Sequence, residues 1–362
     1  MLDRLILSRF RNHAETLLDG TARFNLLVGE NGAGKTNVLE AISLLAPGRG
    51  LRRAALADMP GQAFDGGFAV SAALAGQGDA VRIGTAVSPE RPGRRVVQVN
   101  GAECPAVRLA EWLSIGWLTP AMDRLFTDSA GARRRFLDRL VLALRPDHAA
   151  HAARLETALR ERNRLLAADE APDPSWLEAI ETQLAATGAL VAQGRAALVD
   201  ALGRDLAALP DGPFARPALA YAPGGPVDEA ALAAALRDSR PRDRAAQRTL
   251  VGPHRDELVV TMAGKDQPAA ECSTGEQKAM LIAIVLAHSA MLEREGEARP
   301  RLLLLDEVAA HLDPVRREAL FERLRHGSAQ VWLTGTETAP FSAILQEAAV
   351  WEVSGGVVRA WT

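Results

Sequence analysis

The chain has 362 residues, of which 48% are hydrophobic and 24% charged, and its 42 Lys and Arg against 45 Asp and Glu give a net charge of −3. These totals describe an ordinary globular protein with room for two domains, and they exclude a chain that is basic throughout. Any contact with nucleic acid must therefore come from local basic patches. Because only three of the basic residues are lysines, arginines must form those patches.

The cysteines and the apolar segments favour the cytoplasm. Cys104 and Cys272 form no disulfide framework, which is typical of a reducing compartment. The chain starts without an apolar signal region. Its longest apolar run, from Ala279 to Ala287, is too short to span a bilayer. We therefore expect a cytoplasmic protein that makes no membrane contact.

The first predicted elements lead into a phosphate-binding loop. Leu2 to Ser8 predicts an opening strand, residues 9–12 a polar turn, and Phe24 to Val28 a short buried strand. The next residues match the pattern G-x-x-x-x-G-K-[ST]: Gly29, Glu30, Asn31, Gly32, Ala33, Gly34, Lys35 and Thr36. An amphipathic helix follows and ends at Pro47-Gly48.

The residue types of this loop suit a bound triphosphate. Glycines allow backbone N–H groups to surround phosphates at the start of a helix. Lys35 can neutralise the β- and γ-phosphates, and Thr36 can ligate Mg²⁺. The alternative is a glycine-rich turn that happens to precede a helix, and the rarity of lysine in this chain argues against it. We therefore predict a nucleotide site with Mg²⁺.

A basic loop and an antiparallel sheet are expected next. Residues 48–53 form a loop that is either a solvated connection or a contact for phosphate or a partner, and both interpretations stay open. Its arginines are Arg49, Arg52 and Arg53. Three strands are predicted after it: Phe68 to Leu74, Val81 to Val87 and Arg95 to Val99. Asn100-Gly101 is a strong hairpin turn, so these strands predict an antiparallel sheet beside the P-loop core.

Residues 119–249 are predominantly helical. Ser129 can cap a helix that carries Arg133, Arg134 and Arg135. Two apolar stripes with roughly heptad spacing, over 155–166 and 177–198, predict an antiparallel helical hairpin. A short strand at Leu219 to Tyr221 and a further helix from Asp228 to Arg237 are expected after it.

A second nucleotide motif follows near the carboxyl terminus. The apolar strand Arg301 to Leu305 runs into Asp306 and Glu307. A carboxylate at the end of a strand can hold the Mg²⁺ shell, and the next one can orient or deprotonate the attacking water. Since 270 residues separate Thr36 from Asp306, a large module is inserted within one ATPase core.

Ser273-Thr274-Gly275-Glu276 lies directly before a long apolar helix. Alone, this stretch predicts a helix N-cap, although the same hydroxyl and N–H groups could bind an anion. In this order of motifs it resembles the S-G-G-[QE] signature of the ABC-type ATPase superfamily, and Glu276 is similar to the SMC-like branch. His311-Leu312-Asp313 resembles that superfamily's D-loop. The resemblance implies that Ser273, Gly275 and Asp313 contact ATP.

Three stretches are similar to the RecF family of bacterial recombination and replication-repair ATPases. They are 29–42 (GENGAGKTNVLEAI), 131–138 (GARRRFLD) and 252–258 (GPHRDEL), and their order matches the family along essentially the whole chain. The last two are not shared with transporter subunits. Two departures stand against the pattern. Residues 120–123 replace the usual acidic pair without a clear Q-loop glutamine, and Thr334-Gly335-Thr336 stands where transporters have a switch histidine.

The resemblance implies an α/β fold with an ABC/SMC-like P-loop ATPase head and an inserted α-helical arm. The expected divisions are 1–118 (head), 119–249 (helical arm) and 250–362 (head). Two ATP molecules would lie between two subunits of a homodimer, with Lys35 and Glu307 catalytic and hydrolysis weak and stimulated by DNA. Asp306 and Thr36 would hold Mg²⁺.

The same resemblance implies binding to junctions between single- and double-stranded DNA. RecF-family proteins work with RecR and RecO to help RecA displace single-strand-binding protein at gaps. The candidate DNA contacts are Arg49, Arg52, Arg53, Arg133, Arg134 and Arg135. Two alternatives are an SMC-like ATPase with another partner, such as a defence system, and the ATP-binding subunit of a transporter.

Overall fold

The computed structural model describes residues 1–61, 66–75, 80–170, 173–210, 212–295, 299–309 and 312–361. Within these residues the α-helices are α1 (Lys35–Ser43), α2 (Ala130–Leu144), α3 (His148–Leu166), α4 (Pro174–Ala207), α5 (Glu229–Asp238), α6 (Arg240–Ala245), α7 (Thr274–Glu295) and α8 (Pro314–His326). The strands are β1 (Leu2–Phe10), β2 (His13–Asp19), β3 (Phe24–Val28), β4 (Phe68–Leu74), β5 (Val81–Val87), β6 (Arg95–Val99), β7 (Ala102–Glu103), β8 (Ser114–Leu118), β9 (Pro217–Ala222), β10 (Glu257–Met262), β11 (Gln267–Pro268), β12 (Arg301–Leu305), β13 (Gln330–Gly335), β14 (Ala348–Ser354) and β15 (Val357–Ala360).

The chain divides into two units. Unit 1 contains Met1–Met122 and Leu292–Thr362, and unit 2 contains Asp123–Met291. The unit boundary at 122/123 lies close to the expected division at 118/119. The expected division at 249/250 does not coincide with a unit boundary, because residues 250–291 belong to unit 2. The physical reason is that β10 pairs along its whole length with β9, which lies in the helical part of the chain.

Unit 1 contains an antiparallel sheet with the strand order β2-β1-β4-β5-β6-β7. β4 alternates between buried and half-buried residues, as expected for a strand with one face on the core. β4, β5 and β6 have the bounds that the hydrophobic pattern predicts. β2 is not predicted from the sequence, since buried His13 and Thr16 interrupt its apolar pattern.

The second sheet of unit 1 has the order β15-β14-β3-β13-β12-β8, and all neighbours except the β14–β15 hairpin are parallel. β3 and β13 are buried along their whole length, as expected for strands covered on both faces. The carboxyl ends of parallel strands lie at one edge of a sheet. This edge therefore brings together the residues that follow β3, β12 and β13.

Unit 2 contains a helical hairpin and a three-stranded sheet of order β11-β10-β9. α3 and α4 run antiparallel, because Arg162 pairs with Glu181 while Gly194, farther along α4, packs against His148 at the start of α3. The two apolar stripes expected from the sequence supply the buried residues between these helices. Among the helices that the structure describes, none is long and apolar enough to cross a membrane.

Candidate nucleotide-binding site

The P-loop connects β3 to α1 with a backbone that its glycines make possible. Gly32 and Gly34 have φ values of 83° and 118°, in the region that residues with a Cβ rarely adopt. A Cβ on Gly29 would lie 2.1 Å from the carbonyl oxygen of Val353. Gly32 and Gly34 are therefore required by their backbone conformation, and Gly29 by its close contact with Val353.

The β1–β2 turn holds the P-loop carbonyls. His13 Nε2 donates to the Gly34 carbonyl at 3.1 Å, and Asn12 Nδ2 donates to the Ala33 carbonyl at 2.9 Å. Burial lowers the pKa of His13, and hydrogen bonds to the Gly34 and Gly356 carbonyls oppose that shift. The N–H and C=O of a trans peptide point in opposite directions. The N–H groups that follow these carbonyls therefore point away from the β1–β2 turn, where they can bind phosphate. The sequence pattern does not single out Asn12 and His13.

Lys35 is buried at the first position of α1, with 4% of its surface exposed. Its Nζ donates to the carbonyls of Gly29 and Glu30 at 2.7 and 2.9 Å. Burial lowers the pKa of Lys35, and the nearby Glu307 and Asp306 carboxylates oppose that shift. The ammonium group is thus held along the loop rather than in the apolar face of the helix.

Thr36 and Asp306 meet at the edge of the sheet although 270 residues separate them. Thr36 Oγ1 donates to Asp306 Oδ1 at 2.9 Å. Burial raises the pKa of Asp306, while hydrogen bonds from Thr334 and Thr36 oppose the shift. Mg²⁺ prefers hard oxygen ligands and commonly takes only one or two from the protein, with the others from phosphate and water. The pair fits that donor set.

Thr334, at the end of β13, joins the two carboxylate residues. Its hydroxyl donates to Asp306 Oδ1 at 2.8 Å and accepts from the Glu307 N–H at 2.9 Å. Glu307 has a φ of 54°, a left-handed conformation that is uncommon outside glycine. Thr334 is fully buried, whereas Thr336 is exposed. Of these two threonines, the first positions the carboxylates and the second is accessible.

The comparisons with known proteins agree with this geometry. A family model described as the RecF/RecN/SMC N terminal domain matches residues 1–357. The DNA replication and repair protein RecF of Mesorhizobium japonicum is 48% identical over 370 residues, which cover 99% of this chain and 97% of that protein. The RecF protein of Rhizobium rhizogenes is 44% identical over 378 residues, or 99% and 98% of the two chains. The chain belongs to the RecF family.

Solved structures show the same fold. A structure of the recombination mediator protein RecF with ATP in the RecFOR pathway has a TM-score of 0.87 at 22% identity, covering 100% of this chain and 97% of that one. An SMC head domain with an extended coiled coil from Pyrococcus furiosus, bound to the C-terminal domain of ScpA, has a TM-score of 0.54 at 17% identity, with 99% and 95% covered. This RecF-family chain therefore has the SMC-like ATPase fold.

The signature stretch of this RecF-family chain forms a capping box at the start of α7. Ser273 N–H and Oγ both donate to Glu276 Oε2 at 2.9 Å, and Glu276 N–H donates to Ser273 Oγ at 3.4 Å. A hydrogen bond from Lys265 is the largest cause that lowers the pKa of Glu276, to about 2. Ser273 and Gly275 are exposed, and a Cβ on Gly275 would meet nothing within 4 Å. Packing within unit 2 does not require that glycine.

Asp313 has a structural role at the start of α8. Its Oδ1 accepts the Arg316 N–H at 2.9 Å, so it caps the helix, and half of its side chain stays exposed. His311 of the predicted D-loop lies outside the described residues. ATP contact by Asp313 stays a prediction.

The basic loop after α1 is anchored to a buried carboxylate. Arg52 pairs with Glu40 at 2.8 Å, and Arg11 pairs with the same carboxylate at 2.6 Å. Arg49 and Arg53 are exposed. Glu40 is therefore shared by two guanidinium groups.

The three arginines of α2 have different roles. Arg133 makes a two-pronged pair with Glu257 at 2.7 and 2.9 Å, and Arg134 donates to the Asp256 carbonyl at 2.8 Å. Arg135 is exposed. Arg133 and Arg134 are thus held by residues of unit 2, and DNA contact by any of the three arginines stays a prediction. Sequence spacing could not reveal those partners, which lie more than 120 residues away.

Arg195 joins the two family-specific stretches inside unit 2. Its guanidinium binds both carboxylate oxygens of Asp138 at 2.8 Å, Asp256 Oδ2 at 2.8 Å and the Pro253 carbonyl at 2.6 Å. Burial would raise the pKa of Asp138, but His148 and Arg195 lower it to about 2. Ionised Asp138 therefore stabilises the fold above its ordinary pKa of 3.8, and this contribution is lost as the pH falls from there towards 2.

We expect Arg195→Met to lower the free energy of unfolding of unit 2 by about 3–5 kcal/mol, because it leaves two carboxylates without their buried partner. Urea unfolding at pH 7 measures the change. Arg237→Met, at an exposed position of the same unit, is the control and should shift stability by less than about 0.5 kcal/mol. Equal midpoints for the two variants would contradict a structural role for Arg195.

Proposed function

We propose that this chain is an ATP-dependent DNA-binding ATPase of DNA replication and recombinational repair. The observation that carries the proposal is the convergence of Lys35, Thr36, Asp306 and Glu307 at one sheet edge in a chain of the RecF family. ATP is the substrate, and hydrolysis is weak and stimulated by DNA. Its output is a change of conformational state.

Each side chain at the edge has a distinct role in this proposal. The P-loop N–H groups and Lys35 Nζ bind the phosphates, and Thr36 and Asp306 would hold Mg²⁺. When bound, the metal ion neutralises charge that develops on the phosphate oxygens. Glu307 orients the attacking water and accepts its proton. Thr334 hydrogen-bonds to the side chain of Asp306 but only to the main chain of Glu307. The Glu307 carboxylate is therefore not used by Thr334.

ATP also assembles the active form. The P-loop of one subunit encloses the phosphates, whereas Ser273 and Gly275 present a second anion site at the start of a 22-residue helix. A two-fold symmetric homodimer with ATP between the subunits uses both sites for each nucleotide. ADP lacks the γ-phosphate that the second site would bind, so it does not support the closed dimer.

The dimer binds single-stranded and gapped or junction DNA through its phosphate backbone. The candidates for these contacts are Arg49, Arg52, Arg53 and Arg135, which are exposed, and Arg133 and Arg134, which are half-buried. The cellular partners are RecR and RecO and, through them, RecA. This role belongs to the bacterial cytoplasm. The relatives carry the RecF name over the full length, which does not favour an SMC-like ATPase with another partner or a transporter subunit.

Binding to gapped duplex DNA tests the proposal directly. We expect high affinity with ATP and weak affinity with ADP or without nucleotide, together with a steep fall in affinity as salt rises. Fluorescence anisotropy over a salt series measures both. Equal affinity in all three nucleotide conditions would refute the ATP switch, and the absence of DNA binding would refute the function.

Lys35→Met should abolish tight ATP binding while the fold persists. Removing one member of a buried charge pair costs about 2–5 kcal/mol, which corresponds to roughly a 30-fold or greater loss of affinity. A titration with labelled ATP measures the loss, and circular dichroism checks the fold. Arg154→Met, at an exposed position of α3, removes the same charge and should leave ATP affinity unchanged. A folded Lys35→Met variant with normal affinity would disprove the site assignment.

A further inference from the structure

The stretch 252–258, GPHRDEL, is built into unit 2 through almost every residue. Gly252 has a φ of 126°, and the Pro253 carbonyl accepts from Arg195. His254 Nε2 donates to the Thr249 carbonyl at 2.9 Å. The side chains of Asp256, Glu257 and Leu258 also contact residues inside the unit.

The partners of those side chains are specific. Asp256 is 1% exposed and accepts hydrogen bonds from Arg195, the Tyr221 hydroxyl and the Gly224 N–H. Glu257 pairs with Arg133, and Leu258 is buried in β10. Tyr221 is the single tyrosine of the chain. These contacts fix the backbone on both sides of Arg255.

Arg255 is the exception. Its main chain is fixed, since its N–H donates to the Gly252 carbonyl at 2.9 Å and a Cβ on Gly224 would lie 2.5 Å from Arg255 Cβ. Its side chain is exposed, and among the residues that the structure describes it forms no ion pair or hydrogen bond. A rigid backbone thus presents a guanidinium group that has no partner within the described chain.

The carboxylates of this stretch and of its partner Asp138 are bound by arginines other than Arg255. The cluster contains the guanidinium groups of Arg133, Arg134, Arg195 and Arg255 and the carboxylates of Asp138, Asp256 and Glu257. The carboxylates are already bound to Arg195 and Arg133. Among the arginines of this cluster, Arg255 is the exposed one that makes neither an ion pair nor a hydrogen bond with the described residues.

We propose that Arg255 is a contact for a phosphate of the DNA backbone and that the rest of the GPHRDEL stretch positions it. The inference rests on the proposed function and adds a residue that neither charge runs nor nucleotide motifs single out. An arginine fork matches phosphate geometry, and a fixed Cα lowers the entropy lost when the fork is immobilised. A phosphate contact carries no base preference, so it supports binding to gapped DNA of any sequence.

Arg255→Ala tests the contact. We expect the affinity for a gapped duplex with ATP to fall roughly three- to tenfold near 0.1 M salt, with a salt slope smaller by about 1. Arg255→Lys keeps the charge and should retain most of the slope. Arg237→Ala removes an equal charge from an exposed position of the same unit and should match the parent protein.

ATP titration and thermal unfolding accompany the DNA measurement, and both should be unchanged in Arg255→Ala. If the parent protein binds gapped DNA and Arg255→Ala binds it equally well, the inference is wrong while the proposed function stands. Loss of ATP affinity would instead indicate that Arg255 contacts the nucleotide. Loss of binding to a protein partner, with DNA binding intact, would indicate that it contacts an acidic protein surface. Either result overturns the DNA contact. A parent protein that binds no DNA refutes the proposed function itself.

Discussion

Replacing Glu307 by Gln is expected to lower the rate of ATP hydrolysis by about two to four orders of magnitude while ATP still binds. Glutamine has nearly the same shape but cannot accept the proton of the attacking water. Glu307 keeps its position through its main chain, because its N–H bonds to Thr334 Oγ1. The substitution therefore removes the base and leaves the site's framework intact. Single-turnover phosphate release with an ATP titration measures the two effects separately.

Asp306→Asn is the comparison that separates the two adjacent carboxylates. The Asp306 carboxylate accepts from Thr36 and Thr334, so its loss should weaken Mg²⁺-dependent ATP binding itself. The two variants should therefore fail at different steps, one at hydrolysis and the other at binding. Normal turnover by Glu307→Gln would place the general base on another residue.

Replacing Ser273 by Asp is expected to abolish ATP-dependent dimerisation without unfolding the helix that it begins. Aspartate is among the best N-cap residues and can still accept from the Glu276 N–H. It loses the hydroxyl donor to Glu276 Oε2, and Lys265, which pairs with Glu276, offsets the added carboxylate, so α7 persists. A carboxylate at this position opposes the γ-phosphate of ATP, and like charges at an interface cost several kcal/mol, about a 100-fold or greater loss of dimer affinity. Light scattering with ATP measures the dimer, and a nucleotide titration should show normal ATP binding.

Gly275→Ala is a second test of the same interface, in which the monomer is expected to gain stability while the dimer is weakened. A Cβ there meets nothing within 4 Å, and alanine stabilises a helix over glycine by about 1 kcal/mol, so the monomer should become slightly more stable. Close approach of a partner subunit's nucleotide would nevertheless be obstructed. If Ser273→Asp and Gly275→Ala both dimerise with ATP like the parent protein, the stretch is only a capping box.

The sequence by itself was sufficient for elements whose stability comes from their own residues. The P-loop is encoded in adjacent positions, and the glycines that it needs occupy Gly32 and Gly34 with the positive φ values that require them. β4 to β6 follow from alternation over seven or fewer residues and from the Asn100-Gly101 turn. The capping interpretation of Ser273 and Glu276 also follows from their spacing of three.

The P-loop made Asp306 and Glu307 predictable as its partners. A strand that ends in two acidic residues is ambiguous alone, because buried strands often end in acidic turns. The parallel sheet resolves the ambiguity, since β12 and β3 flank β13 and Thr36 then bonds Asp306. The sequence pattern predicted that Thr36 and Asp306 belong to the nucleotide site, and the order of the strands brings them into contact.

Only the tertiary structure decided the roles of residues whose partners are remote in sequence. Arg133 and Arg134 look like a basic patch, yet the folded chain places Glu257 and the Asp256 carbonyl against them. Arg195 stands alone in a helical stripe but binds two carboxylates 57 and 61 residues away. A local sequence pattern depends on interactions between neighbouring residues. It does not show which distant carboxylate or carbonyl an arginine will bind in the folded chain. The ion pair of Arg133 and the exposure of Arg255 therefore became known only from the fold.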